Sequence, residues 1–258
     1  LSLKHTYVVM KHRLKTQPQW LLILIGIVLL CVHQLYFPFS KSDLASKQLF
    51  SVQFNASFQG DQQLVNVRTY LPLNDPWQSV LHENVSTSGV PSSEQLLPSG
   101  RLITWSADEE QSNVGYKYKV NIQGQKYIID QSLTVPNHYP EELESYLEET
   151  PNVQVSHPEI LDLWLKIQGS EQTIHGILNA IYQYTWKGME NMPFKGTTDA
   201  LTAARLGAAS CNGKSRLFVA LARKNGIPAR LVGGLILENA SKKTSHQWIE
   251  VYINEHWV

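Results

Sequence analysis

Residues 211–230 read C-N-G-K-S-R-L-F-V-A-L-A-R-K-N-G-I-P-A-R, and residues 246–258 read H-Q-W-I-E-V-Y-I-N-E-H-W-V. The first stretch opens on a thiol. Behind it, Leu217, Phe218, Ala220 and Leu221 mark a buried helix, and Gly226 and Pro228 stop it. Residues 229–237 then read as a strand. The second stretch opens on an imidazole and alternates as a strand through Ile253. Cys211 therefore starts a helix, where free N–H groups and the positive end of the dipole favour an anion. The thiolate is the nucleophilic form of cysteine, and the same N–H groups can hold a developing oxyanion. Asn212 and Gly213 are expected to leave the sulfur open to substrate. His246 follows 35 residues after Cys211, beyond a helix, a strand and a loop, a path that can return the chain to the sulfur. An Asp or Asn normally orients the imidazole of such a pair. That third member is expected beyond Val258.

Together the two stretches resemble the core of the transglutaminase-like superfamily, which shares the papain-like Cys-His-Asp arrangement. In that family the nucleophile opens a helix followed by G-I-P-A-R and a strand. The His begins a strand patterned H-x-W-x-E-V-Y, and a Trp shortly precedes the Asp. The resemblance covers roughly residues 170 to 258 and implies Cys211 as nucleophile and His246 as base. Two positions depart from the pattern: Ala209 stands where Gly is frequent, and Gln247 where Ala is frequent. Neither change removes a reacting atom. The implied chemistry is thiol-dependent amide hydrolysis or acyl transfer on a peptide or protein substrate. The alternative is a catalytically inactive module that binds a peptide or cell-envelope ligand.

Upstream of the core the chain changes character. Residues 136–158 hold four prolines and five glutamates and read as a linker with one short exposed helix. Residues 44–135 read as a β-rich domain, a small sandwich. Phe50, Val52, Phe54, Ala56 and Phe58 alternate strictly, as do Val65, Val67, Thr69 and Leu71 after a turn at Gly60-Asp61. Tyr116, Tyr118, Val120 and Ile122 follow, then Tyr127-Ile128-Ile129 as a further strand. The Ser-, Pro- and Gly-rich stretch 86–100 reads as a loop.

Residues 1–18 carry Lys4, Lys11, Arg13 and Lys15 and no acid, and no Asp, Glu, Lys or Arg occurs from Thr16 to Ser40. A transmembrane helix is expected over residues 19–39, with Trp20 and Tyr36 at the two interfaces. The basic flank should be cytoplasmic and the bulk of the chain periplasmic, on the outer side of the inner membrane. An anchor, a β-rich outer segment and this core also resemble, in layout, bacterial proteins known as inactive transglutaminases fused to seven transmembrane helices. The expected fold class is thus α+β: a transmembrane helix, a β-sandwich-like segment, and a transglutaminase-like core over residues 159–258, incomplete at its C-terminus.

Composition excludes some alternatives. Lys plus Arg and Asp plus Glu both number 22, so no basic face points to nucleic acid. The expected partners are membrane lipid through the N-terminal helix and a peptide substrate. Of two cysteines, Cys31 lies in the apolar run, and with one cysteine left in the soluble part neither a metal site nor a cofactor is expected. Trp186 is expected to pack in the core, and Arg216 and Arg223 to form a solvated helix face. Gly233-Gly234, inside a strand, should permit close backbone approach. The tripeptides at Asn55, Asn84 and Asn239 match the glycosylation pattern by chance.

Overall fold

The computed structural model is described over residues 18–36, 47–58, 64–87, 89–107, 112–170, 172–192, 198–239, 241 and 246–258. The first helix, α1 (Pro18–Tyr36), has 19 residues. At about 1.5 Å per residue it reaches about 28 Å, against a hydrocarbon core of about 30 Å. No helix among the described residues is long and apolar enough to cross a membrane. Residues 37–39 of the expected span, the Gly60-Asp61 turn and the Cys31 side chain lie outside the described part.

Period-two alternation then builds six strands: β1 (Gln48–Phe58), β2 (Val65–Leu71), β3 (Gln78–Ser86), β4 (Ser92–Leu97), β5 (Gly100–Ala107) and β6 (Ser112–Ile122). They form two antiparallel sheets, ordered β1-β6-β3 and β2-β5-β4. Ile103, Trp105, Tyr116 and Val120 are buried between them, and Phe54 stacks on Trp105 with ring centroids 6.1 Å apart. Arg101 on β5 binds Glu94 on β4 at 2.7 Å and Glu83 on β3 at 3.0 Å, and the Tyr116 hydroxyl donates to Glu83, so one network ties the sheets together. Two expectations change here. The stretch 86–100 contains β4, an edge strand with polar, exposed side chains held by its backbone pairing to β5. Residues 127–129 form no strand; Ile128 is exposed, whereas Ile129 packs on the second core.

That core belongs to the C-terminal half, whose elements are α2 (Glu141–Glu144), α3 (Pro158–Ile167), α4 (Ile174–Tyr182), a π-helical stretch Gln183–Gly188, β7 (Glu190–Asn191), α5 (Ala200–Leu206), β8 (Ala208–Ala209), α6 (Cys211–Lys224), β9 (Ala229–Gly234), β10 (His246–Ile253) and β11 (His256–Trp257). The central element is α6: Leu217, Val219, Ala220, Leu221 and Ala222 have no exposed surface. It packs against α3, α4 and α5 on one side and the antiparallel sheet β11-β10-β9 on the other. A helix surrounded in this way needs apolar residues on nearly all its faces. Sequence periodicity does not find α3, although Pro158 at its first turn and His157 as its cap are ordinary start signals.

The cap of α5 is Asp199: its carboxylate accepts from the Thr202 N–H at 2.8 Å and the Thr202 hydroxyl at 3.0 Å. Thr198 is buried one residue earlier. Partial burial pushes the Asp199 carboxyl up, but the Thr202 hydrogen bonds outweigh it and hold the group below the usual carboxylate range. Its contribution is therefore present above the unfolded value of about 3.9 and is lost as pH falls through the depressed one. Asp199→Ala should cost about 1 kcal/mol, read as a lower unfolding midpoint at pH 7 that converges with the parent's in acid.

Candidate active site

Cys211 is the first residue of α6 and is exposed. Its Sγ lies 3.7 Å from Asn212 Oδ1. Ser210 occupies the cap position but makes no side-chain cap bond, so its hydroxyl does not consume the first N–H groups of the helix. Those groups belong to the turn that Cys211 opens and are available to an incoming oxyanion.

The chain reaches this point through tight packing. Gly207 ends α5 with φ of 59°, which glycine adopts without strain. β8 then runs parallel to β7, with Glu190 N–H donating to Gly207 O and Met192 N–H to Ala209 O, both at 3.1 Å. Buried Lys214 donates from Nζ to Met189 O at 2.8 Å, fixing residues 189–192 beside the start of α6. A Cβ on Gly213 would lie 2.8 Å from Ala209 Cβ and 3.1 Å from Thr198 Cβ. The glycine is therefore buried against its own entry strand, and its smallness serves packing rather than substrate access. Ala209, the departure from the family pattern, is accommodated by that missing methyl.

His246 is the first residue of β10 and pairs with Gly234, the last of β9. Helix and strand lengths decide where this pair lies. The 14 residues of α6 rise about 21 Å, and the return along six-residue β9 covers about 20 Å. Gly234 and His246 thus come back to the end of the layer that carries Cys211. Within β10, Val251 and Ile253 are buried toward α6. Alternation puts Gln247 and Ile249 on that face, and His246 with Trp248 and Glu250 on the other. Gln247 Oε1 is buried without a hydrogen-bond partner.

The register that holds His246 is locked by residues the sequence reading passed over. Arg230 of G-I-P-A-R and Glu250 of the second stretch are cross-strand partners. They join at 2.8 Å through Nε and 2.6 Å through Nη2. The guanidinium sits 4.1 Å from the Trp257 ring centroid. Opposite charges 20 residues apart, one in each of two strand-like stretches, were the available signal. The close approach at Gly233-Gly234 is not one of backbone: a Cβ on Gly234 would lie 2.5 Å from the Trp248 ring, a side chain, and Gly233 faces open space. Arg216 and Arg223 are not a solvated face. Arg216 donates to Thr198 O at 2.9 Å, and Arg223 donates to Ala229 O and Glu148 O, clamping both ends of α6. Burial lowers the Arg223 pKa, against nearby Glu148 and Tyr146. Trp186 is likewise no core residue: it is 66% exposed and stacks on Tyr182.

A nucleophilic side chain opening a central helix, backed by an antiparallel sheet that carries an imidazole, defines a papain-like α+β core. Residues 164–258 match the model of the transglutaminase-like superfamily. No curated protein sequence matches the chain. Its fold is similar to that of a candidate cysteine protease from Cytophaga hutchinsonii, with a TM-score of 0.69, 21% identity, and coverage of 83% of this chain and 75% of that one. The periplasmic domain of TgpA from Pseudomonas aeruginosa gives a TM-score of 0.42 and 14% identity over 82% of this chain and 73% of that one.

Proposed function

We propose that this transglutaminase-like domain is a membrane-anchored, extracytoplasmic thiol acyltransferase or amidase. Cys211 Sγ attacks the carbonyl of a peptide or protein amide, and the helix-start N–H groups of α6 receive the oxyanion. On this reading the His246 imidazole turns from the outer face of β10 to take the thiol proton and returns it to the leaving amine as the C–N bond breaks. Water or a second amine then releases the acyl group from sulfur. The observation that carries this reading is the exposure of Cys211 at an uncapped start of an otherwise buried helix. Membrane attachment is supported by α1, where Leu22, Ile23, Leu24, Ile25, Ile27, Val28, Leu29 and Val32 are all more than 40% exposed. A helix apolar on every side requires an apolar surrounding.

The register of β11 supports the expectation of a third group beyond this strand. Trp257 pairs with Tyr252, and Val258 exchanges both backbone bonds with Val251. A longer chain continuing so would bring its next residues past Glu250, Trp248 and then His246 on the face that His246 occupies. An Asp or Asn on that segment orients the imidazole.

Iodoacetamide labelling followed by peptide mapping tests the sulfur. At neutral pH the Cys211 peptide of the folded chain should be alkylated faster than after unfolding in urea. Equal rates in both states end the catalytic reading. A second reading, a non-catalytic module that binds a peptide or envelope ligand, is favoured by the alternation that turns Gln247 rather than His246 toward α6. On that reading ligand binding survives loss of the sulfur and no amide turnover occurs.

A further inference from the structure

A cleft of about 600 Å³ lies between the chain after α3 and the outer face of α4, and neither Cys211 nor His246 borders it. Ser170 stands on one wall, and His175, Asn179 and Gln183 stand on the other, one helical turn apart, with Tyr184 at the end. Among the described residues, the lining contains no carboxylate, ammonium or guanidinium group. Burial pushes the Tyr184 phenol up, so it stays an O–H at neutral pH. What faces the cleft is thus a row of hydrogen-bond donors and acceptors over an apolar floor. The same stripe continues past the cleft: Tyr182 and Trp186 stack nearly parallel, at 10° with centroids 6.4 Å apart, and are 46% and 66% exposed. Large aromatic faces left in water beside convergent polar groups mark a binding surface.

We propose that this cleft and its aromatic ledge bind a neutral polyhydroxylated chain, a segment of glycan. Each side chain on α4 meets a hydroxyl or acetamido group in succession, and the flat Tyr182–Trp186 pair takes the apolar C–H face of a sugar ring. The absence of charge argues against phosphorylated or charged-peptide ligands, which would leave their ions unpaired on burial. The site stands apart from Cys211, so it serves either reading of that sulfur.

The test uses the whole chain in nanodiscs, titrated calorimetrically with tri-N-acetylchitotriose. Saturable binding is expected. Asn179→Ala and Trp186→Ala should each weaken it by about tenfold or more, while circular dichroism and unfolding midpoint stay unchanged. Raising salt from about 0.05 to 0.5 M should change the affinity less than about twofold, since no ion pair is made. Cys211→Ala should bind as the parent does, whatever becomes of amide turnover. Absence of binding, binding untouched by both variants, or tighter binding of an acetylated, amidated neutral tripeptide would overturn the proposal.

Discussion

Cys211→Ala should reduce amide turnover by about three orders of magnitude or more, close to 4 kcal/mol of transition-state stabilisation. The side chain is exposed and its one recorded contact is a weak one to Asn212 at 3.7 Å, so the fold should survive its loss. Full retention of turnover in the alanine variant would end the mechanism, because no other described thiol exists to replace it. His246→Ala belongs in the same experiment. Residues that act as a unit are not additive, so the double variant should be scarcely worse than Cys211→Ala alone. A simple product of the two losses would show that the imidazole and sulfur do not act together, and would favour the binding module.

Gly213→Ala is expected to destabilise the C-terminal half by about 1–3 kcal/mol, which inverts the ordinary sign. On propensity alone, glycine to alanine in a helix gains up to about 1 kcal/mol. Here the added methyl would meet Ala209 Cβ at 2.8 Å and Thr198 Cβ at 3.1 Å. Both neighbours are buried, and residues 207–209 are held by backbone bonds to β7, so neither can yield cheaply. The compensating change is Ala209→Gly. The double variant Ala209→Gly/Gly213→Ala should recover most of the loss, measured as a coupling in urea unfolding. Additive losses would mean that the two positions do not share one slot.

This coupling shows what kind of information each level carries. That Cys211 begins a helix was legible, because Leu217, Leu221, Gly226 and Pro228 state the helix and its stop locally. The strand from His246 to Ile253 was legible for the same reason, and the observed β10 has those bounds. The β-sandwich strands with strict alternation were equally plain. Strands and helices whose signals are weak were not. β4 is an exposed edge, polar from Ser92 to Gln95 and without apolar alternation, and no local pattern betrays a strand held only by its neighbour's backbone. Trp186 looked like core because large aromatics usually are; the π-helical stretch turned it outward onto Tyr182.

The sequence by itself carried the resemblance over residues 164–258 and determined the helix and strand that Cys211 and His246 open, since each is a matter of residue type and short-range spacing. Only the tertiary structure decided that Gly213 makes room for Ala209, that Arg230 and Glu250 set the register behind His246, and that the face of β10 carrying Gln247, not that carrying His246, turns toward α6. Those outcomes depend on contacts between segments far apart in the chain, where burial and backbone pairing override what any local stretch can specify.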